Sequence, residues 1–483
     1  MSRRITALVT ALAALALAPA AQAGGPTMTI GAAEDIVRQP DPVLARQKMA
    51  QLAAAGFRAV RVTSIWVPPA AAPTPGEVQI LTNVTNAAQA YGVTVYVSIY
   101  SPGSKTTPLG PDAISEFSQY AAALVRAVPA IRNVIVGNEP NLNRFWLPQF
   151  NPDGSDAAAP AYLALLAPTY DAIKAVDPSI TVFGGALAPR GVDKPNTGRD
   201  THSPTAFILD LGAAYRASGR QAPIMDGFAF HPYGEASNVS PDFAHPKSTS
   251  IGLADYGKLV ALLGQAFDGT AQAGSGLAIL YDEYGVESTP PASKASLYTG
   301  TEPSTTHPVD ETTQAASYTR ALGLAFCQPN VVGILLFHSQ DETPLASWQS
   351  GVYYADGTPK ASFYAVQSAI ARARGGSLAR CDGLTLDVVP SILRFPTAAG
   401  VKKGTATFVV ACPLDCAVTL SIVRADGKTV WTRRLYALAG PTARIPLGKL
   451  QLAGGQYSFT ASIEQPVNPG LPTFRQGATF TIP

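Results

Sequence analysis

The chain has 483 residues, is 47% hydrophobic and 14% charged, and carries a formal net charge of +2 at pH 7. That length excludes a single small domain and fits a barrel of roughly 250 residues or more with a smaller module attached. So small a net charge gives no extended field for nucleic acid or an anionic membrane, which leaves a neutral or weakly charged ligand as the expectation.

The N-terminus reads as an export signal. Arg3 and Arg4 precede an apolar run from Ile5 to Ala18, and Ala-Gln-Ala at 21–23 is a small-residue cleavage site. The run is short for a bilayer span of about 20 residues. No later stretch reads as a span. Residues 1–23 are therefore expected to be a signal peptide, the mature chain to start near Gly24, and the protein to be secreted.

From Thr27 to about Arg374, short β-rich runs alternate with amphipathic, alanine-rich ones. The β-rich runs are 27–36, 59–66, 94–101, 133–141, 181–187, 227–234, 277–285 and 331–340. Helical runs lie between them at 42–55, 78–91, 111–127, 160–176, 204–218, 253–266 and 311–326, with a closing one near 360–373. The first helical run has an Asp cap, Pro in its first turn and a terminal Gly. Eight strand–helix pairs predict an α/β fold, a closed (β/α)8 barrel over 24–378, rather than an open doubly wound sheet. No G-x-G-x-x-G follows the first strand, which disfavours a dinucleotide.

After about Gly375 the texture changes to alternating strands broken by turn signals such as Asp426-Gly427. Residues 379–483 read as an all-β, immunoglobulin-like sandwich, which either binds glycan or braces the barrel. Export permits disulfides. Cys412 and Cys416 are close enough to pair within one short loop, which leaves Cys327 and Cys381 for each other; free buried thiols are the alternative. The C-x3-C spacing, with no second pair and no nearby His, is poor for zinc.

In such a barrel the C-terminal strand ends face the active site. Strand two ends near Arg61, Ser64 and Trp66, strand four with Asn138 and Glu139, and strand six with His231 and Tyr233. Strand seven ends with Asp282 and Glu283, and strand eight with Phe337, His338 and Gln340. Glu139 and Glu283 each follow a buried apolar run, so they are expected to face each other across the barrel mouth. Glycoside hydrolysis needs such a pair, one acid to protonate the leaving oxygen and one carboxylate to attack the anomeric carbon. Asp282 is the alternative partner; simple alternation points it away from the lumen and ranks it below Glu283.

The supporting residues have physical roles of their own. Tyr233 is placed to donate to the nucleophile, and His231 to bond a sugar hydroxyl or tune Glu139. Arg61 is placed to act on Glu283 by charge proximity. His338 joins them as a substrate-binding candidate. Trp66, Trp146 and Trp348 lie beyond strand ends, where aromatic faces stack on sugars; ordinary packing is the competing reading. The long loops at 101–112, 141–160, 189–204 and 286–311 are expected to shape the subsites.

The run GNEPN at the end of strand four resembles the Asn-Glu-Pro signature of the glycoside hydrolase clan A barrels. The longer GNEPNLNRFW, with HPYG on strand six, is similar to family 39, which includes β-xylosidases and α-L-iduronidases; family 5, cellulase-like, is next nearest. The resemblance covers about residues 27–374. It implies Glu139 as acid/base, Glu283 as nucleophile and Asn138 as a partner of the sugar 2-hydroxyl. Two departures stand out. Strand seven reads YDEYG instead of the usual Thr-Glu or Ser-Glu form, and strand eight lacks the Trp that many clan members place under the sugar.

Other chemistries have weaker signals. There is no G-x-S-x-G elbow and no H-E-x-x-H, so neither a serine hydrolase nor a catalytic metal is expected. The reading is a secreted retaining glycosidase without cofactor, acting as a monomer on a carbohydrate, with no nucleic-acid partner. The alternative is a non-catalytic carbohydrate-binding cell-wall protein on the same barrel.

Overall fold

A computed structural model describes residues 24–245, 247–379, 381, 391–411, 416–437, 442–464 and 474–483. Eight parallel strands close into a barrel: β1 (Thr29–Ala33), β2 (Ala59–Ile65), β3 (Thr94–Tyr100), β4 (Asn133–Val136), β5 (Thr181–Leu187), β6 (Gly227–Phe230), β7 (Ala278–Tyr284) and β8 (Val331–Phe337). Strand β8 returns to pair with β1, from Thr29 opposite Gly333 to Ala33 opposite Phe337. The helices between and after them are α1 (Pro42–Ala54), α2 (Pro75–Tyr91), α3 (Gly110–Ala127), α4 (Ala158–Val176), α5 (Pro204–Ala217), α6 (Tyr256–Phe267), α7 (Glu311–Phe326) and α8 (Ala361–Arg374).

The helix starts follow local chemistry. Asp41, Thr74, Ser203 and Asp310 each cap a helix by accepting a backbone N–H with the side chain, and Pro occupies the first turn of α1, α2 and α5. Each capped helix buries one face against the sheet. Inside the barrel, strand alternation brings Ala59, Tyr96, Ile135, Phe183, Ala229, Leu280 and Leu335 into one small apolar cluster. This plug closes the lumen. Two residues further along each strand the same inward face continues, so Arg61, Ser98, Asp282 and Phe337 form the next layer towards the mouth.

The C-terminal region is a sandwich of two antiparallel sheets. One has the order β13-β10-β9, from β9 (Ser391–Arg394), β10 (Thr407–Ala411) and β13 (Thr442–Pro446). The other has the order β12-β11-β14-β15, from β11 (Cys416–Arg424), β12 (Thr429–Ala437), β14 (Gly455–Glu464) and β15 (Phe474–Ile482). A short helix, α9 (Ala398–Lys403), adds to what the sequence pattern suggests. Phe408 and Val410 of the first sheet share a core with Leu420, Ile422 and Phe459 of the second. The Asp426-Gly427 turn closes the β11–β12 hairpin, with Gly427 at φ +86°.

Cys327, at the end of α7, is bonded to Cys381, as expected. The Cys412–Cys416 pairing and the 1–23 signal peptide fall outside the described residues. Leu378, Ala379 and Cys381 pack on the barrel core, so the disulfide fastens the chain just beyond α8 back to α7. The two cysteines are 54 positions apart. A loop of that size gives a disulfide a stabilising effect of about 2–4 kcal/mol. Replacing both by Ser should lower the unfolding free energy by that amount in urea titration; an unchanged midpoint would mean that the bond adds nothing.

Candidate active site

Arg61 organises the layer above the apolar plug. It is 4% exposed. One terminal nitrogen donates to Glu283 Oε1, the other to Asn138 Oδ1 at 2.9 Å and to Ser98 Oγ at 3.2 Å. Its Nε stands 3.5 Å from Asp282 Oδ2. The neighbouring charges of Glu283 and Asp282 outweigh burial and hold the guanidinium protonated. Four strands thus meet at one cation.

Strand β4 ends at Val136, three residues before Glu139. Gly137, at φ +91°, turns the chain where a Cβ would meet the Tyr162 ring at 2.9 Å. Tyr162 from α4 staples the turn by donating to Val136 O at 2.6 Å and accepting from Gly185 N at 2.8 Å. Glu139 itself has φ +41°, a conformation that non-glycine residues avoid. Its N–H donates to Ala186 O at 2.8 Å, which holds the backbone there. Strain of this kind persists where the surroundings over-determine it, most often at functional sites. Asn141 locks the next turn by contacts to Ala188 and His202.

His231, just past β6, is fully buried. Its Nδ1 lies 3.0 Å from Glu139 Oε1 and 3.6 Å from Glu283 Oε2. Its Nε2 lies 3.3 Å from Asp282 Oδ2, an ion-pair contact without hydrogen-bond alignment. Burial alone would push the imidazole down; the Glu283 and Asp282 charges and the contacts to Asp282 and Glu139 overcome it and lift it to about 10. Burial opposes ionisation of Asp282 too, and the charges of His231 and Arg61 still hold it below its ordinary value.

Glu283 is held at both oxygens, by Arg61 at Oε1 and by the Tyr233 hydroxyl at Oε2, 2.9 Å away. The structure thus brings Tyr233 and Glu283 together, as their strand-end positions suggested. Alternation on β7 holds from inward Leu280 to Asp282 and breaks at Glu283. The β7–β8 register shifts between Tyr281 and Tyr284. Asp282 stays on the inward face with Leu280, beneath the cavity, while Glu283 reaches the cavity wall. The expectation that Asp282 points away from the lumen is corrected: counted from Leu280, alternation itself places it inward, and the register shift brings Glu283 to the cavity as well, as the carboxylate that ligands can reach.

Above these groups lies a cavity of about 640 Å³. Asn138, Glu139, Arg61, Tyr233, Glu283 and His338 all line it. His338 Nδ1 is tied to Ala33 O at 2.8 Å. Trp66 and Trp146 are not in the lining and are corrected to packing residues. Following inward Arg61 and Thr63, Trp66 turns outward to Phe117 on α3, fully buried, and its indole N–H donates to Ala70 O. Trp146 packs edge-on against Tyr162. Trp348, from the loop after β8, does line the cavity beside Tyr233 and Phe337, with ring centroids 5.4 and 5.0 Å away. It supplies the Trp face that strand eight, ending in Phe337, itself lacks.

Three of the four long loops reach the cavity, with Arg144, Arg190 and Glu287 among their contributions. The 101–112 loop instead supports its neighbour: Ser104 N donates to Arg144 O, and Leu147 N donates to Thr107 Oγ1. Sequence reasoning missed Glu34, whose carboxylate accepts from Ser339 and Gln340 and joins the ends of β1 and β8. Its only signal was a second pair of acids at a strand end. Glu287 was missed as well; burial and the Glu302 charge push its carboxyl up to about 7.

Among the described residues no group of three or more His, Cys, Asp or Glu is arranged to hold a metal ion, and no helix is long and apolar enough to cross a membrane. No family profile matches the chain, and no curated protein matches it. Solved structures do. A β-glucuronidase from Bacteroides uniformis is 14% identical, with 95% of this chain and 47% of that chain covered and a TM-score of 0.46. The chain therefore spans about half the length of that protein. GH5_18 from Streptomyces cattleya, in complex with GlcNAc, is 17% identical over 73% of this chain and 81% of that chain, TM-score 0.49. A glucosidase from Croceicoccus marinus is 13% identical over 89% and 95%, TM-score 0.49. Similarity at this level leaves the functional reading to the site itself.

The raised His231 gives a stability signature. A group lifted from 6.5 to about 10 on folding contributes stability in full below pH 6.5, and that stability is lost as the pH rises towards 10. The melting temperature should fall across pH 7–10, with a shallower slope in His231→Gln. Parallel slopes would show that His231 does not carry this proton.

Proposed function

We propose that the chain is a secreted retaining glycoside hydrolase, cleaving O-glycosidic bonds of an oligosaccharide or polysaccharide by double displacement. Glu139 is the acid/base and Glu283 the nucleophile. The observation that carries the reading is that both carboxylates approach a single imidazole nitrogen, at 3.0 and 3.6 Å, in the wall of one cavity. Their facing oxygens are no farther apart than the sum of those distances. That bound admits the about 5–5.5 Å spacing of a retaining pair and leaves only the lower edge of the about 6.5–9.5 Å range of an inverting one. Export is supported by the N-terminal pattern and fits the Cys327–Cys381 disulfide.

In the first step a Glu283 oxygen bonds to the anomeric carbon while Glu139 gives its proton to the departing glycosidic oxygen. In the second, Glu139 takes a proton from water, and that water displaces Glu283 from the sugar. Arg61 and Tyr233 fix the nucleophile's orientation from two sides. Asn138 gives its carbonyl oxygen to Arg61, which leaves its NH2 for the sugar 2-hydroxyl. Trp348, with Phe337 and Tyr233, offers a face for a sugar ring.

The test is turnover of aryl glycosides and of plant, fungal and mycobacterial wall polysaccharides. Glu283→Gln should lower kcat by about 10³-fold or more. Glu139→Gln should cost about 10²–10⁴-fold on natural glycosides. It should cost far less on dinitrophenyl glycosides, whose leaving group needs no proton. Near-wild-type rates for both folded variants would overturn the assignment, and binding without turnover across the panel would favour a carbohydrate-binding protein.

A further inference from the structure

The YDEYG run places a second carboxylate directly before Glu283, and the catalytic scheme above gives this Asp282 no part. Its surroundings make it more than filler. Asp282 is fully buried, and neither carboxylate oxygen accepts an aligned hydrogen bond among the described residues. Its nearest polar groups are His231 Nε2 at 3.3 Å and Arg61 Nε at 3.5 Å. A buried carboxylate is costly unless charge compensates it, so these two cations are what make Asp282 tolerable. Arg61 is already engaged by Glu283, Asn138 and Ser98. The imidazole is the group that Asp282 can change.

Every charged or titratable group facing His231 is close. Glu139 comes from the turn after β4, and Asp282 and Glu283 come from β7. Tyr233, two residues on, is edge-on at 6.4 Å, and Arg61 of β2 stands behind Asp282. Each ring nitrogen looks at a carboxylate oxygen. A neutral imidazole has one N–H, so once Glu139 has given up its proton either tautomer sets a bare lone pair against a carboxylate. Two protons on the ring remove that conflict. Glu139, in turn, has His231 as its one side-chain partner among the described residues. The orientation of its carboxyl therefore depends on Nδ1–H.

We propose that Asp282 is a positioning residue, holding His231 as an imidazolium that fixes the rotation of the Glu139 carboxyl towards the glycosidic oxygen. The proposal rests on Glu139 as the acid/base. Asp282 touches no substrate; it acts through the ring.

The test is Asp282→Asn, a near-isosteric loss of charge, with Asp282→Thr as a smaller neutral replacement if the amide disturbs folding. The His231 ring, its ¹⁵N–¹H signals assigned with His231→Gln, should stay doubly protonated beyond pH 8 in the wild type. In the variant its titration should drop by about 1–3 units. On substrates that need acid assistance kcat should fall about 10- to 100-fold, with KM within about three-fold, because part of the general-acid contribution is lost. Dinitrophenyl glycosides should be nearly unaffected. In the His231→Gln background the Asp282 change should add less than about two-fold. An unchanged His231 titration would overturn the proposal, as would an equal rate loss for good and poor leaving groups. If the wild type hydrolysed no glycoside, the proposed function would fail, while the ring titration would still decide whether Asp282 holds the proton on His231.

Discussion

The mouth of the barrel depends on one buried cation. Arg61 lies directly above the apolar plug and is surrounded by Asp282, Glu283, Asn138 and Ser98. A guanidinium taken out of water needs partners on most of its edges, and the partners here come from β3, the turn after β4 and β7. The geometry is reciprocal. Asp282 and Glu283 are adjacent carboxylates that would repel in a dry site, and Arg61 with His231 supplies the charge that lets both stay there. Breaking such a buried arrangement by removing one member costs about 3–5 kcal/mol, because the rest is left uncompensated.

The backbone makes its own contribution. The turn after β4 uses Gly137 to clear Tyr162 and then forces Glu139 into left-handed conformation. The Ala186 carbonyl accepts the Glu139 N–H, so β5 stabilises the turn that β4 starts. The side chain is thereby delivered to the cavity beside His231 with little freedom left. Charge layer and strained turn meet at the same imidazole. A rigid apolar plug beneath them keeps the assembly from sinking into the lumen.

Much of this was legible in the sequence. Strands bounded by capped helices produce a periodic pattern that survives without coordinates, and all eight barrel strands fall where that pattern puts them. Arg61, Asn138, Glu139, His231, Tyr233 and Glu283 gather at one end because inward-facing strand ends must do so. What escaped was set by contacts across the chain. Glu283 reaches the cavity next to inward Asp282 because the β7–β8 register slips, which no local pattern encodes. Trp66 and Trp146 are apolar anchors for α3 and α4, indistinguishable in sequence from sugar platforms. Trp348 reaches the cavity only because its loop folds back over Phe337. Glu34 and Glu287 gain their surroundings from segments hundreds or tens of residues away.

The central claim is that Glu139 and Glu283 act as a retaining pair. The most direct measurement is proton NMR of the anomeric signal of the first product released from the best glycoside substrate, read before mutarotation. The structure predicts that the product first appears with the anomeric configuration of the substrate. Initial release of the opposite anomer would contradict the double-displacement account and require a water between the two carboxylates.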